Sequence, residues 1–131
     1  GVPYVAQATV GNWRDLVNKA EKAIAVDGPA FLNIMAPCPR GWRVDSGMTA
    51  EICRLAVNSK FWPLFEVENG KWKLTPVREK NLIPVTEFLK PQGRFKHLFK
   101  PGNEALLEEI QNDVDNYWAY LEGRVEGSKN L

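Results

Sequence analysis

Much of what would mark a familiar chemistry is missing from this chain. Its 131 residues hold two cysteines, Cys38 and Cys53, and one histidine, His97. Two cysteines make no disulfide framework in a chain of this length, which favours a reducing, cytoplasmic setting. A single histidine leaves no His/Cys set at metal-ligand spacing, and no Ser or Cys stands beside it for activation. No glycine-rich phosphate loop occurs. No apolar run approaches the roughly 20 residues that cross a bilayer, and Gly1-Val2-Pro3-Tyr4 shows no basic, apolar secretory leader. Net charge is only +1, so the chain as a whole is no evident nucleic-acid or membrane binder. There is no internal repeat or low-complexity segment.

What is present is ordinary globular composition, 44% hydrophobic and 25% charged, enough for one real core. Val2 to Thr9 reads as a strand. Asn12 is placed to cap a following helix, with Asp15 in its first turn. Trp13, Leu16, Val17, Ala20, Ala23 and Ile24 recur at helical spacing as its inner side, leaving Arg14, Asn18, Lys19, Glu21 and Lys22 wet. Asp27-Gly28-Pro29 stops it. Ala30 to Ala36 is apolar on both faces apart from Asn33, the pattern of a strand buried in a parallel sheet. Strand, helix and strand form a βαβ unit, so the fold class is α/β.

Pro37 to Gly47 then reads as an irregular loop. Thr49 is a candidate cap for a helix to about Lys60, with Ile52, Leu55 and Ala56 inward. Asn69-Gly70 between Leu64–Glu68 and Lys71–Leu74 predicts a hairpin with a type I′ turn. Four prolines in 75–102 allow only a short helix near Pro84–Lys90. A final amphipathic helix from Asn103 to Glu122 buries Leu106, Leu107, Ile110, Val114, Trp118 and Leu121, with Gly123 as its stop. The stretch 61–102 is rich in aromatics and prolines and poor in periodicity, as segments are that wrap a neighbouring surface. The division is therefore 1–60, carrying the βαβ unit, and 61–131, an extension packing on neighbours. Two strands are too few for an independent parallel sheet, so the chain is expected to complete a larger structure.

One place stands out chemically. Cys38 lies in Pro37-Cys38-Pro39-Arg40-Gly41-Trp42, just past the carboxyl end of a parallel strand, where open α/β sheets hold ligands. Flanking prolines stiffen its backbone, and Gly41 permits close approach. Such a thiol can be a nucleophile, a metal ligand or an inert half-buried group, and its neighbours do not decide among these. Cys53, mid-helix, reads as a packed core thiol. His97, Asp27 and Asp45 read as surface or turn residues. The tryptophans serve core and interfaces.

Four motifs in order carry a resemblance: Gly1-Val2-Pro3-Tyr4-Val5-Ala6, Gly28-Pro29-Ala30-Phe31-Leu32-Asn33-Ile34, the Pro37–Trp42 segment, and Trp62-Pro63-Leu64-Phe65-Glu66 with Gly93-Arg94-Phe95-Lys96-His97-Leu98. Together they resemble the C-terminal part of the β subunit of 2-oxoacid:ferredoxin oxidoreductases, the pyruvate type most closely. The resemblance implies a thiamine-pyrophosphate-binding fold and oxidative decarboxylation of a 2-oxoacid to acyl-CoA. Electrons would pass through a [4Fe–4S] cluster to ferredoxin. It makes Cys38 the fourth cluster ligand. The family's Mg²⁺- and diphosphate-holding Gly-Asp-Gly…Asn signature and its other three cluster cysteines are not among these residues. Thiamine pyrophosphate, Mg²⁺ and most of the cluster would thus be held by the N-terminal part of the subunit, and no catalytic residue is assigned here. The implied partners are that part, the α and other subunits, and ferredoxin.

Charge is uneven: Lys71, Lys73, Arg78, Lys80, Lys90, Arg94, Lys96 and Lys100 face only Glu79 and Glu87 in 71–100. That stretch could dock acidic ferredoxin. The competing reading is a non-catalytic α/β interaction module that binds a protein or nucleic acid through it.

Overall fold

A computed structural model describes residues 1–131. Its order is β1 (Tyr4–Thr9), α1 (Trp13–Ala25), β2 (Ala30–Met35), α2 (Pro39–Trp42), α3 (Thr49–Asn58), β3 (Phe65–Glu68), β4 (Lys71–Leu74), α4 (Val85–Leu89) and α5 (Glu104–Gly127). One four-stranded sheet runs β2-β1-β3-β4. β1 and β2 are parallel, Tyr4 opposite Ala30 and Thr9 opposite Met35. β3 joins β1 antiparallel, and β4 joins β3 antiparallel. The α/β expectation holds, and the sheet takes strands from both sides of residue 60. Asn69 (φ 49°) and Gly70 (φ 84°) both adopt positive φ, as the type I′ turn requires.

The core lies where α3, α4 and α5 close over the carboxyl end of β2. Met35, Ile52, Cys53, Ala56, Val85, Phe88, Leu89, Leu98 and Val114 form it. Cys53 is buried, as a packed thiol should be. It lies so close to the turn after β1 that a Cβ on Gly11 would stand 2.3 Å from its own Cβ. Only glycine fits there.

Several local expectations need correction. The inner side of α1 is not the apolar one. Trp13 is 60% and Ile24 85% exposed, whereas Lys19 is 3% exposed. Lys19 Nζ donates to the Gln7 carbonyl (2.9 Å) and to Asp15 (2.7 Å), so the helix sits on the sheet through paired polar groups. β2 is a border strand, not a buried one, and Phe31 is 59% exposed. Asn12 stands at the N-cap position of α1 but makes no side-chain cap bond, and Thr49 is the first residue of α3, its hydroxyl donating to the Ser46 carbonyl. Leu106 faces solvent, and α5 runs past Gly123 to Gly127, because an exposed helical glycine costs only about 1 kcal/mol. No helix is long and apolar enough to cross a membrane.

Candidate functional site

The loop after β2 is more ordered than its sequence suggests. Pro37 is buried, and Pro39–Trp42 forms one helical turn with Pro39 at its first position, where the missing N–H costs nothing. Cys38 is the residue that starts this turn. Its backbone is extended, its carbonyl accepts the Trp42 N–H (2.9 Å), and its thiol is exposed and accepts the Gly41 N–H at 3.4 Å.

A second segment holds the loop in place. Arg43 takes a left-handed conformation (φ 54°) and its carbonyl accepts the Gly93 N–H at 3.0 Å. A Cβ at position 93 would lie 2.7 Å from that of Arg43, so glycine is required for this approach. The next residue, Arg94, lays its guanidinium 3.9 Å above the Trp42 ring and 4.6 Å from Phe95. Its Nε donates to Gln92, a fully buried amide that donates in turn to the Phe88 carbonyl. Burial holds the Arg94 guanidinium below its ordinary pKa. Arg94 is therefore a packing residue of the Cys38 loop, not a free charge of the basic stretch. Lys90, Lys96 and Lys100 of that stretch are exposed. Sequence reasoning missed the Arg94–Trp42 stack. The one signal for it was an Arg beside a Gly in an aromatic run.

The remaining assignments are plain. Asp45 accepts the Gly47 N–H (2.8 Å), a turn contact. His97 is exposed, and its carbonyl accepts from Asn103. No three His, Cys, Asp or Glu side chains gather closely enough to hold a metal. Cys38 is the exposed thiol of the two, and any metal group meeting it would need its other ligands from outside these residues.

An open basin of about 560 Å³ lies between α1 and the sheet, with Lys19, Lys22, Glu66 and Lys73 on its walls. Its charges are spent on one another. Glu66 accepts from Tyr4 (2.8 Å) and Lys22 (2.8 Å), with Lys73 at 3.5 Å. Burial pushes the Glu66 carboxyl up, but the hydrogen bonds from Lys22 and Tyr4 outweigh it and hold the group below its ordinary range. The bond to Glu66 raises Lys22 against a smaller burial effect, and burial with the same bond raises Tyr4. We read this basin as a strut between α1 and the sheet.

No family model matches the chain. Over most of its length, however, it is homologous to one subunit of oxidoreductases. It is 43% identical to pyruvate synthase subunit PorB of Pyrococcus horikoshii, over 92% of the chain and 41% of that protein. It is 44% identical to PorB of Thermotoga maritima, over 90% of the chain and 36% of that protein. It is 47% identical to ketoisovalerate oxidoreductase subunit VorB of P. horikoshii, over 83% of the chain and 35% of that protein. The chain thus spans about two fifths of the length of the curated relatives it matches.

Proposed function

We propose that the chain is the C-terminal part of the β subunit of a cytoplasmic 2-oxoacid:ferredoxin oxidoreductase, of the pyruvate type, and that Cys38 ligates one iron of its [4Fe–4S] cluster. The observation that carries this reading is identity of 43–47% to PorB and VorB subunits across most of the chain. The exposed Cys38 thiol at the carboxyl end of β2 supports it. Bound thiamine pyrophosphate would supply the electron sink for decarboxylation, and the cluster a one-electron acceptor.

This chain's own share is narrower. Cys38 offers one sulfur ligand, the Gly41 N–H orients it, and the Arg94–Trp42 stack fixes the loop that carries it. The other three ligands, and the residues holding thiamine pyrophosphate and Mg²⁺, belong to the remainder of the subunit. Residues 61–131 pack on neighbouring subunits, and exposed Lys90, Lys96 and Lys100 face ferredoxin. Coenzyme A enters as co-substrate.

The test is turnover by the anaerobically assembled complex containing this chain. Pyruvate-driven ferredoxin reduction that requires coenzyme A is expected. A colourless, iron-free complex that binds nucleic acid with a steep salt dependence would replace this reading with the interaction module.

A further inference from the structure

A helix that only covers its own core needs one apolar stripe, and α5 carries two. The first is buried through Val114, Trp118 and Leu121. The second, Leu106, Ile110, Tyr117 and Tyr120, recurs at helical spacing on an adjoining side. Of these, Leu106 is 44%, Tyr117 43% and Tyr120 55% exposed. The two tyrosine rings stack on each other, 6.2 Å between centres and 16° from parallel. They form a flat aromatic step on the surface.

Beside the step lies a groove of about 260 Å³ lined by Lys60, Phe61, Ile110, Asp113, Val114 and Tyr117. It is smaller than the pockets that hold drug-sized ligands, and suits one inserted side chain. Phe61 is anchored to the core by its contact with Phe88 at 4.6 Å, so this wall is fixed. The charges around the step are unbalanced. Glu109 and Asp113 take part in none of the chain's ion pairs. The nearby cations are engaged with rings instead: Lys60 lies 4.7 Å from the centre of Trp118, and Arg124 5.2 Å from that of Trp72.

We propose that this face of α5 seats an apolar segment of another subunit that carries an arginine, its guanidinium lying on the Tyr117–Tyr120 step and paired with Asp113. Arginine fits where lysine does not, because its planar fork stacks on an aromatic ring while bonding a carboxylate with two N–H groups. Tyrosine and arginine are also the residues that most often dominate the energy of protein interfaces. The proposal deepens the reading above that residues 61–131 pack on neighbouring subunits, and rests on it.

The test uses the assembled complex with the full-length subunit. A photo-cross-linking amino acid at Tyr120 is expected to join a different subunit, at a peptide with an arginine among apolar residues. Asp113→Lys is expected to weaken association with that subunit at least about tenfold, since like charges then meet. Glu108→Lys makes the same charge change in another groove, with Pro84, Leu107 and Gln111, and is expected to leave association unchanged. Adducts confined to the same chain or to a second copy of it, or an equal effect of the two substitutions, would overturn the proposal. Cross-linking retains Asp113, so it reads the contact even where Asp113→Lys fails to fold. Coenzyme A-dependent ferredoxin reduction by the wild-type complex reports separately on the oxidoreductase reading, so each can fail without the other.

Discussion

β4 and β2 hold equivalent positions, one at each border of the sheet, yet their chemistry is opposite. Lys71 and Lys73 alternate with Trp72 and Leu74 in β4, so one face is wet and the other meets α5. In β2 neither face carries charge, and Phe31 and Ile34 are exposed on opposite sides. The same contrast divides the whole molecule. The α3–α5 side buries Ile52, Cys53, Val85 and Phe88 completely, whereas the α1 side leaves Trp13 and Ile24 in solvent and buries Lys19 instead. Exposed apolar surface of this extent marks contact with more protein. The closed side is packed within the chain, and the open side leaves its apolar residues in solvent.

The most direct way to break the comparison is to charge the open border. In the full-length subunit, Ile34→Lys is expected to cost about 3 kcal/mol, the order of an unpaired charge forced into an apolar contact. Lys73→Ala on β4 should cost less than about 1 kcal/mol, as the Lys73 side chain is exposed and Lys22 and Tyr4 still pair with Glu66. Denaturant unfolding of both variants checks this. Equal, small effects would make β2 an ordinary border.

On the closed side, Gly11→Ala should destabilise by about 1–3 kcal/mol, the range for overpacking, because the new methyl collides with Cys53. Thermal unfolding reads it. A neutral result would mean that α3 does not pack as closely as described.

The polar strut predicts a smaller, pH-dependent effect. Glu66 is lowered in the folded state, so its contribution is present above the ordinary carboxylate range and is lost as pH falls through its folded value. Lys22 and Tyr4 are raised, so theirs is complete below their ordinary values near pH 10 and fades as pH rises through the folded ones. Unfolding measured across pH should show both limbs. Glu66→Gln should flatten the acid limb and leave a lower plateau near neutrality.

The smallest effect concerns docking. Replacing Lys90 and Lys96 with Gln should reduce the salt dependence of ferredoxin reduction while turnover at saturating ferredoxin holds. Arg94 is excluded from that set because it is packed on Trp42.

How much was legible in the sequence follows the same division. The βαβ unit and the Asn69-Gly70 hairpin could be read because local chemistry decides them: strand patterning in one case, positive φ in the other. The buried stripe of α5 was right for Val114, Trp118 and Leu121, which meet partners within the chain. The pattern misleads at α1 and β2, where apolar residues point away from the core of this chain. Hydrophobicity identifies a surface that prefers not to meet water, and it does not say which polypeptide covers it. The strut could not be foreseen either, because Lys19, Lys22 and Glu66 look like solvated charges until a fold brings them together. At Cys38, the sequence indicated a stiff loop at a strand end. The helical turn and the Gly41 N–H are local geometry that a loop reading passes over, and the Arg94 clamp comes from a residue far along the chain.

The measurement closest to the central claim compares the two thiols. Iron and acid-labile sulfide per β subunit, with the EPR spectrum after reduction, would be taken on the anaerobically purified complex as wild type, Cys38→Ser and Cys53→Ala. Loss or conversion of one [4Fe–4S] signal in Cys38→Ser alone is expected, because only Cys38 is accessible. Unchanged cluster content in Cys38→Ser would contradict the account and leave Cys38 an ordinary loop thiol.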